Sequence, residues 1–152
     1  PILTESLFFE ELADAKGQAV ADQVADLIDD LTDLGLIKGW RRSSVSMRLP
    51  DPRDSGHQFT VVVLTTDGLF HLGWLYRVHA RDGYDLAIVD RYLNGVIELT
   101  GAKLWDRGHP VDYEDTTEKT PVEALLRNKE EYLKLVREFV RAIETEAAES
   151  EQ

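Results

Sequence analysis

The chain has no cysteine among its 152 residues. Disulfides, thiolate catalysis and Cys-ligated zinc or iron–sulfur centres are therefore excluded. It also lacks any run of eighteen apolar residues, so no transmembrane helix is expected. A basic-then-apolar leader is missing too, since the opening PILTESLFFEEL is amphipathic and acidic. Positive charge is scarce: 17 Lys and Arg stand against 29 Asp and Glu, a net charge of −12. Such a chain is repelled by phosphate backbones, which argues against nucleic-acid binding and favours basic proteins or cations. Named chemical motifs are absent as well, with no Walker loop, dinucleotide-binding glycine pattern, Gly-x-Ser-x-Gly or His-Glu-x-x-His.

What remains is an ordinary globular composition, 43% hydrophobic and 30% charged. The length suits one domain, spanning 1–147, with a short acidic tail at 148–152 that frays. The lack of cysteine suits a cytoplasmic protein. Thr4 is placed to cap a first helix ending near Gly17. In QAVADQVADLIDDLTDLGLI, Val20, Val24, Leu27, Leu31 and Leu34 recur at spacings of four and three, one apolar stripe of a second helix. Gly35 followed by Leu36 then reads as a glycine C-cap with its hydrophobic contact.

From residue 43 the period changes to two, with Val45, Met47 and Leu49 on one side of a strand. The loop PDPRDSGH follows. Beyond it, Asp67-Gly68, Asp82-Gly83 and Asn94-Gly95 separate β-rich runs, and each pair favours the positive φ of a two-residue hairpin turn. That register sets Val63 opposite Leu72, Val61 opposite Trp74 and Phe59 opposite Tyr76. It also sets Tyr76 opposite Val89 and Arg91 opposite Glu98, a favourable cross-strand pair. Thr120 is expected to cap the last helix, with Pro121 at its first position and Glu123 closing a capping box. Leu125, Tyr132, Val136, Phe139 and Ile143 line its buried face. The fold class is α+β: an N-terminal helical segment, an antiparallel meander of about five strands and a long C-terminal helix.

On the second sheet face, Gly73 leaves a gap, with Tyr92 opposite it, His71 beside it and Asp90 diagonal to Arg77. A base, a carboxylate, a phenol and a guanidinium could converge there. No metal set can be read. His71 and His79 are eight residues apart on one strand, roughly 26 Å at about 3.3 Å per residue. By parity His57 falls on the opposite face, and His109 lies in the loop WDRGHPVDYEDTTEK. That loop's acids, Asp112, Glu114, Asp115 and Glu118, lack the spaced order of a calcium loop. No cofactor is expected. The aspartates of the second helix, Asp22, Asp26, Asp29, Asp30 and Asp33, lie mostly off its apolar stripe and offer a docking face to a basic partner.

LAIVDRYLNG followed by EALLR resembles, over less than a tenth of the chain, the ribosome-inactivating N-glycosidases. In those enzymes a strand tyrosine works with a helical Glu-Ala-x-Arg. Here Glu123 and Arg127 are four apart rather than three, so the likeness does not assign the family. Two functions follow. The first is a non-enzymatic, acidic binding or adaptor protein whose partner is a protein, basic by charge complementarity, or a second copy of the chain. The second is a small hydrolase-like enzyme or ligand-binding domain with its pocket over Gly73. His71, Gly73, Asp90, Tyr92 and Arg77 are the candidate residues of the pocket, and Asp26 and Asp30 those of the helix face.

Overall fold

A computed structural model describes residues 4–73, 75, 81–104 and 117–150. Two helices open the chain, α1 (Glu5–Lys16) and α2 (Gln18–Asp33). The Thr4 side chain accepts from the Leu7 amide at 3.2 Å, a local N-cap. Gly17, at φ +93°, ends α1 through its amide on the Ala13 carbonyl at 2.8 Å. In α2, Ala21, Val24, Leu27, Ile28 and Leu31 are buried, as the apolar stripe requires. The Leu36 amide reaches back to Leu31 O at 3.2 Å and that of Gly35 to Thr32 O at 3.0 Å, the two bonds of a Schellman cap.

The sheet has five antiparallel strands in sequence order: β1 (Ile37–Trp40), β2 (Ser44–Pro50), β3 (Gln58–Thr65), β4 (Leu69–His71) and β5 (Thr120–Pro121). Strand pairing aligns Trp40, Val45, Leu64 and Phe70 across four strands. α1 meets the β1 end of that row, with the Phe8 ring 5.5 Å from Trp40 and Lys38 of β1 bonded to Glu5 at 3.2 Å. Between β2 and β3 the register shifts: Met47 faces Val62 and Arg48 faces Thr60, so Val61 is the extra residue of a bulge.

The expected hairpin register is off by one. Val63 faces His71 and Leu64 faces Phe70, because the connection has three residues rather than two. The Gly68 amide closes the turn on Thr65 O at 3.1 Å, with Gly68 at φ +82°. The Thr65 hydroxyl accepts from the Leu69 amide at 3.1 Å and donates to the Asp67 carboxylate. A one-residue slip moves side chains to the opposite face. His71 therefore shares a face with Val63, and Leu64 is on the other.

The larger correction concerns residues 84–99, expected as two strands. Leu86–Thr100 is a helix, α3. Asp85 caps it, accepting from the Ala87 amide at 2.9 Å, and Gly101 (φ +74°) ends it. Val89, Tyr92, Leu93 and Val96 recur at helical spacing and are buried. Asn94-Gly95 is mid-helix rather than a turn. A Cβ on Gly95 would come within 2.6 Å of Leu135 Cδ2, so glycine here permits close helix approach. Asp82 is helical, and Gly83 (φ +77°) leads to the Asp85 cap, so this pair is no hairpin either. Arg91 and Glu98 both lie exposed on α3, not across a ladder. Trp74, Tyr76 and Val78 lie outside the described residues.

The C-terminal capping scheme is also revised. Thr120 and Pro121 form β5 against Phe70 and Leu69, and α4 (Glu123–Leu126) is a single short turn. Glu123 makes an ion pair with Lys16 at 3.3 Å instead of a capping box. The long helix is α5 (Lys129–Ser150). Leu125, Tyr132, Val136, Phe139 and Ile143 are buried as expected and join one apolar cluster with residues from both N-terminal helices and the sheet. Among the described residues no helix is long and apolar enough to cross a membrane.

Candidate functional site

The set predicted around Gly73 is not held together by strand pairing. His71 ends β4 and Gly73 follows it, and both are buried. Tyr92 sits on α3, and Asp90 is exposed on the same helix. Arg77, His79 and the loop residues 105–116 lie outside the described residues. The Tyr92 hydroxyl has one proton. It donates that proton to the Val61 carbonyl at 3.2 Å and accepts from the Tyr132 hydroxyl at 2.9 Å. Burial pushes both phenols above their ordinary pKa, so they are neutral structural groups in this core. Tyr92 thus secures α3 and α5 to the bulge of β3.

A polar cluster unforeseen in the sequence joins the β2–β3 loop to residues 81–85. The His57 Nδ1 lies 2.5 Å from Asp82 Oδ1; the imidazole is 38% exposed and the carboxylate 6%. With the Nδ1 proton donated to Asp82, Nε2 is left as the acceptor, the arrangement of an oriented general base. Arg81 Nε approaches the same oxygen at 3.6 Å. Arg53 stacks its guanidinium 4.0 Å from the Tyr84 ring centroid and donates to the Asp82 carbonyl at 3.0 Å. Asp51 accepts from Tyr84 at 2.5 Å, Ser55 at 2.6 Å and the Arg53 amide at 3.0 Å. Burial alone would raise the Asp51 carboxyl, but these bonds outweigh it and hold it below its usual range. Burial and the Asp51 bond push the Tyr84 phenol up. Ser55 bonds to Asp51 and to the His57 amide, so it is braced within the loop. His57 and Asp82 are 25 positions apart, and no local pattern signals the pairing.

The acidic helix face is the feature that the sequence reading locates best. Asp22, Asp26, Asp29 and Asp33 stand at i, i+4, i+7 and i+11 of α2, all exposed. At about 3.6 residues per turn these positions fall within one narrow stripe. Asp30 lies beside it and is bridged to Lys129 of α5 at 2.6 Å. Asp30 first and Asp26 further off raise the Lys129 ammonium above its ordinary pKa. Asp22 accepts from Gln18 at 2.8 Å.

No protein-family model, curated protein or solved structure matches the chain. The resemblance to N-glycosidases also loses its geometry, because Tyr92 is helical and Glu123 is paired with Lys16.

Proposed function

We propose that this is a non-enzymatic binding or adaptor protein that docks a basic partner protein on the exposed face of α2. The stripe of four aspartates carries the reading. Like charges three and four apart weaken a helix by about 0.2–0.5 kcal/mol per pair. The stripe contains three such neighbours in series, 22–26, 26–29 and 29–33. It also ends at Asp33, the last residue of α2, where the helix dipole disfavours a negative charge and the last turn has no basic residue. A merely solvated face has no need of this arrangement, whereas a basic surface approaching it relieves all three repulsions. A cytoplasmic setting suits the cysteine-free chain.

The test is reversal of Asp26 and Asp33 to Lys, leaving Asp30 with Lys129. The wild-type chain is expected to retain a basic protein from a lysate of its own host at low salt and release it at high salt. The reversed variant, with unchanged circular dichroism, is expected to retain none of it. Retention of the same protein by both chains refutes the docking face. A second reading, a small hydrolytic or ligand-binding domain, is favoured by the oriented His57–Asp82 pair rather than by Gly73. Ester or glycoside turnover lost in His57→Ala would support it; identical background rates in both chains would dismiss it.

A further inference from the structure

The two edges of the sheet are not alike. β5 is two residues long and contains Pro121, which has no amide proton to offer a further strand. β1, at the other edge, has four residues and no proline. Two contacts fix which way its backbone groups point. The Arg41 amide donates to Ser44 O at 2.9 Å, and the Thr66 amide donates to Ser43 O at 3.0 Å, so Ser44 bonds towards β1 and Ser43 towards β3. Antiparallel ladders alternate. Ile37 and Gly39 therefore turn their bonding groups inward to Arg48 and Ser46, whereas Lys38 and Trp40 turn theirs outward. Among the described residues no other backbone group bonds those of Lys38 and Trp40. Ile37 beside them is 41% exposed. Charge usually blunts such an edge. Here Lys38, the one charged residue of β1, is drawn onto Glu5 of α1 at 3.2 Å.

This edge is also the basic part of an acidic chain. Residues 34–50 include Lys38, Arg41, Arg42 and Arg48 and no Asp or Glu. Arg41 and Arg42 are exposed at the hairpin end, and among the described residues neither makes an ion pair. The Arg48 guanidinium lies on Gly39, where a Cβ would meet its Cζ at 2.8 Å, so a further cation stands on β1 itself. Exposed charges more than about 8 Å apart are largely screened at physiological salt. A strand arriving at β1 therefore meets these cations rather than the net −12 of the whole chain. Two copies of β1 pairing with each other would instead bring like charges together, which disfavours a second copy as the occupant.

We propose that β1 is a docking edge for an extended, acidic segment of a partner protein, which joins the sheet as a sixth strand. Main-chain bonds to Lys38 and Trp40 give the pairing, and carboxylates near the hairpin end meet Arg41 and Arg42. This surface is separate from the aspartate stripe of α2 and opposite to it in charge, so either can fail alone.

The test is amide hydrogen exchange of the full chain, read residue by residue by NMR, with a capped peptide of alternating threonine and glutamate as the probe. Exchange at Lys38 and Trp40 is expected to slow by about tenfold or more at saturation, while Gly39, already bonded to Ser46, keeps its rate. A threonine–lysine peptide is expected to leave all three unchanged. Reversing Arg41 and Arg42 to Glu, with unchanged circular dichroism, is expected to weaken binding of the acidic peptide by about tenfold or more at low salt. If that variant fails to fold, the comparison of the two peptides still decides. Equal slowing by the basic peptide, or no slowing at up to about 1 mM acidic peptide, overturns the proposal. So does protection of Lys38 and Trp40 that rises with the concentration of the chain alone, which would assign the edge to a second copy.

Discussion

Removing the Tyr92 hydroxyl should cost far more than removing that of Tyr132, although the two bond each other at 2.9 Å. The reason is the direction of the chain of bonds. Tyr132 donates to Tyr92, and Tyr92 donates to the Val61 carbonyl at the bulge of β3. Tyr92→Phe removes one donor from the Val61 oxygen and leaves the buried Tyr132 O–H without its acceptor. The orphan costs about 1–3 kcal/mol and the lost Val61 bond about 0.5–1.5 kcal/mol, so a loss of about 2–3 kcal/mol or more is expected. Tyr132→Phe leaves the Tyr92 donation intact and forfeits one bond, about 0.5–1.5 kcal/mol. In the double variant the Tyr132 orphan no longer exists. Its cost should therefore fall below that of Tyr92→Phe alone by the roughly 1–3 kcal/mol of that orphan, so the two losses are coupled rather than additive. Urea unfolding reads this directly. At an m-value of roughly 2 kcal/mol/M, Tyr92→Phe should lower the midpoint by about 1 M or more and Tyr132→Phe by about half that or less. Equal losses from both single variants, or additive losses in the double, would refute the assigned direction.

Further outcomes follow from the same structure. Asp51, whose carboxyl is held below its usual pKa, stabilises the fold above its unfolded pKa of about 3.9, and that contribution is lost as pH falls through the lower folded value. Asp51→Asn should flatten the acid limb of a stability–pH curve below about pH 4, and an unaltered limb would show that the Ser55 and Tyr84 bonds contribute nothing. Gly95→Leu should force α3 from α5 and cost about 1–3 kcal/mol by overpacking. Adding Leu135→Ala should recover part of that loss in calorimetry, because Leu135 is the side chain that a Cβ at 95 meets; no recovery would mean the helices are not apposed there.

Local signals suffice wherever one segment decides the structure. The stripe of α2, the Thr4 cap, the Gly35–Leu36 terminus and the alternation of β2 each depend on neighbours within a few residues. They mislead where one local signal supports two structures. Val89, Tyr92, Ile97 and the Asn94-Gly95 pair suit a hairpin. The Asp85 cap and the burial of Val89, Leu93 and Val96 belong to a helix, and packing on α5 decides for it. The Thr65–Leu69 turn differs from a two-residue hairpin by one residue, enough to move His71 to the other face. The His57–Asp82 pair and the close packing of the Arg48 guanidinium on Gly39 were out of reach for another reason. Each joins residues that meet through tertiary or cross-strand placement, and neither leaves a mark in local periodicity.

The docking face proposed for α2 is tested most directly by the association rate of a basic protein captured from the host lysate with a variant carrying Asn at positions 22, 26, 29 and 33. Asparagine keeps the size and helix propensity of aspartate while removing the charge. Stability should rise by about 0.6–1.5 kcal/mol as three like-charge neighbours are relieved. Association at low salt should slow by about tenfold or more, and its salt dependence should flatten. A variant that is stabilised yet associates at the wild-type rate, with the wild-type salt dependence, would contradict the account.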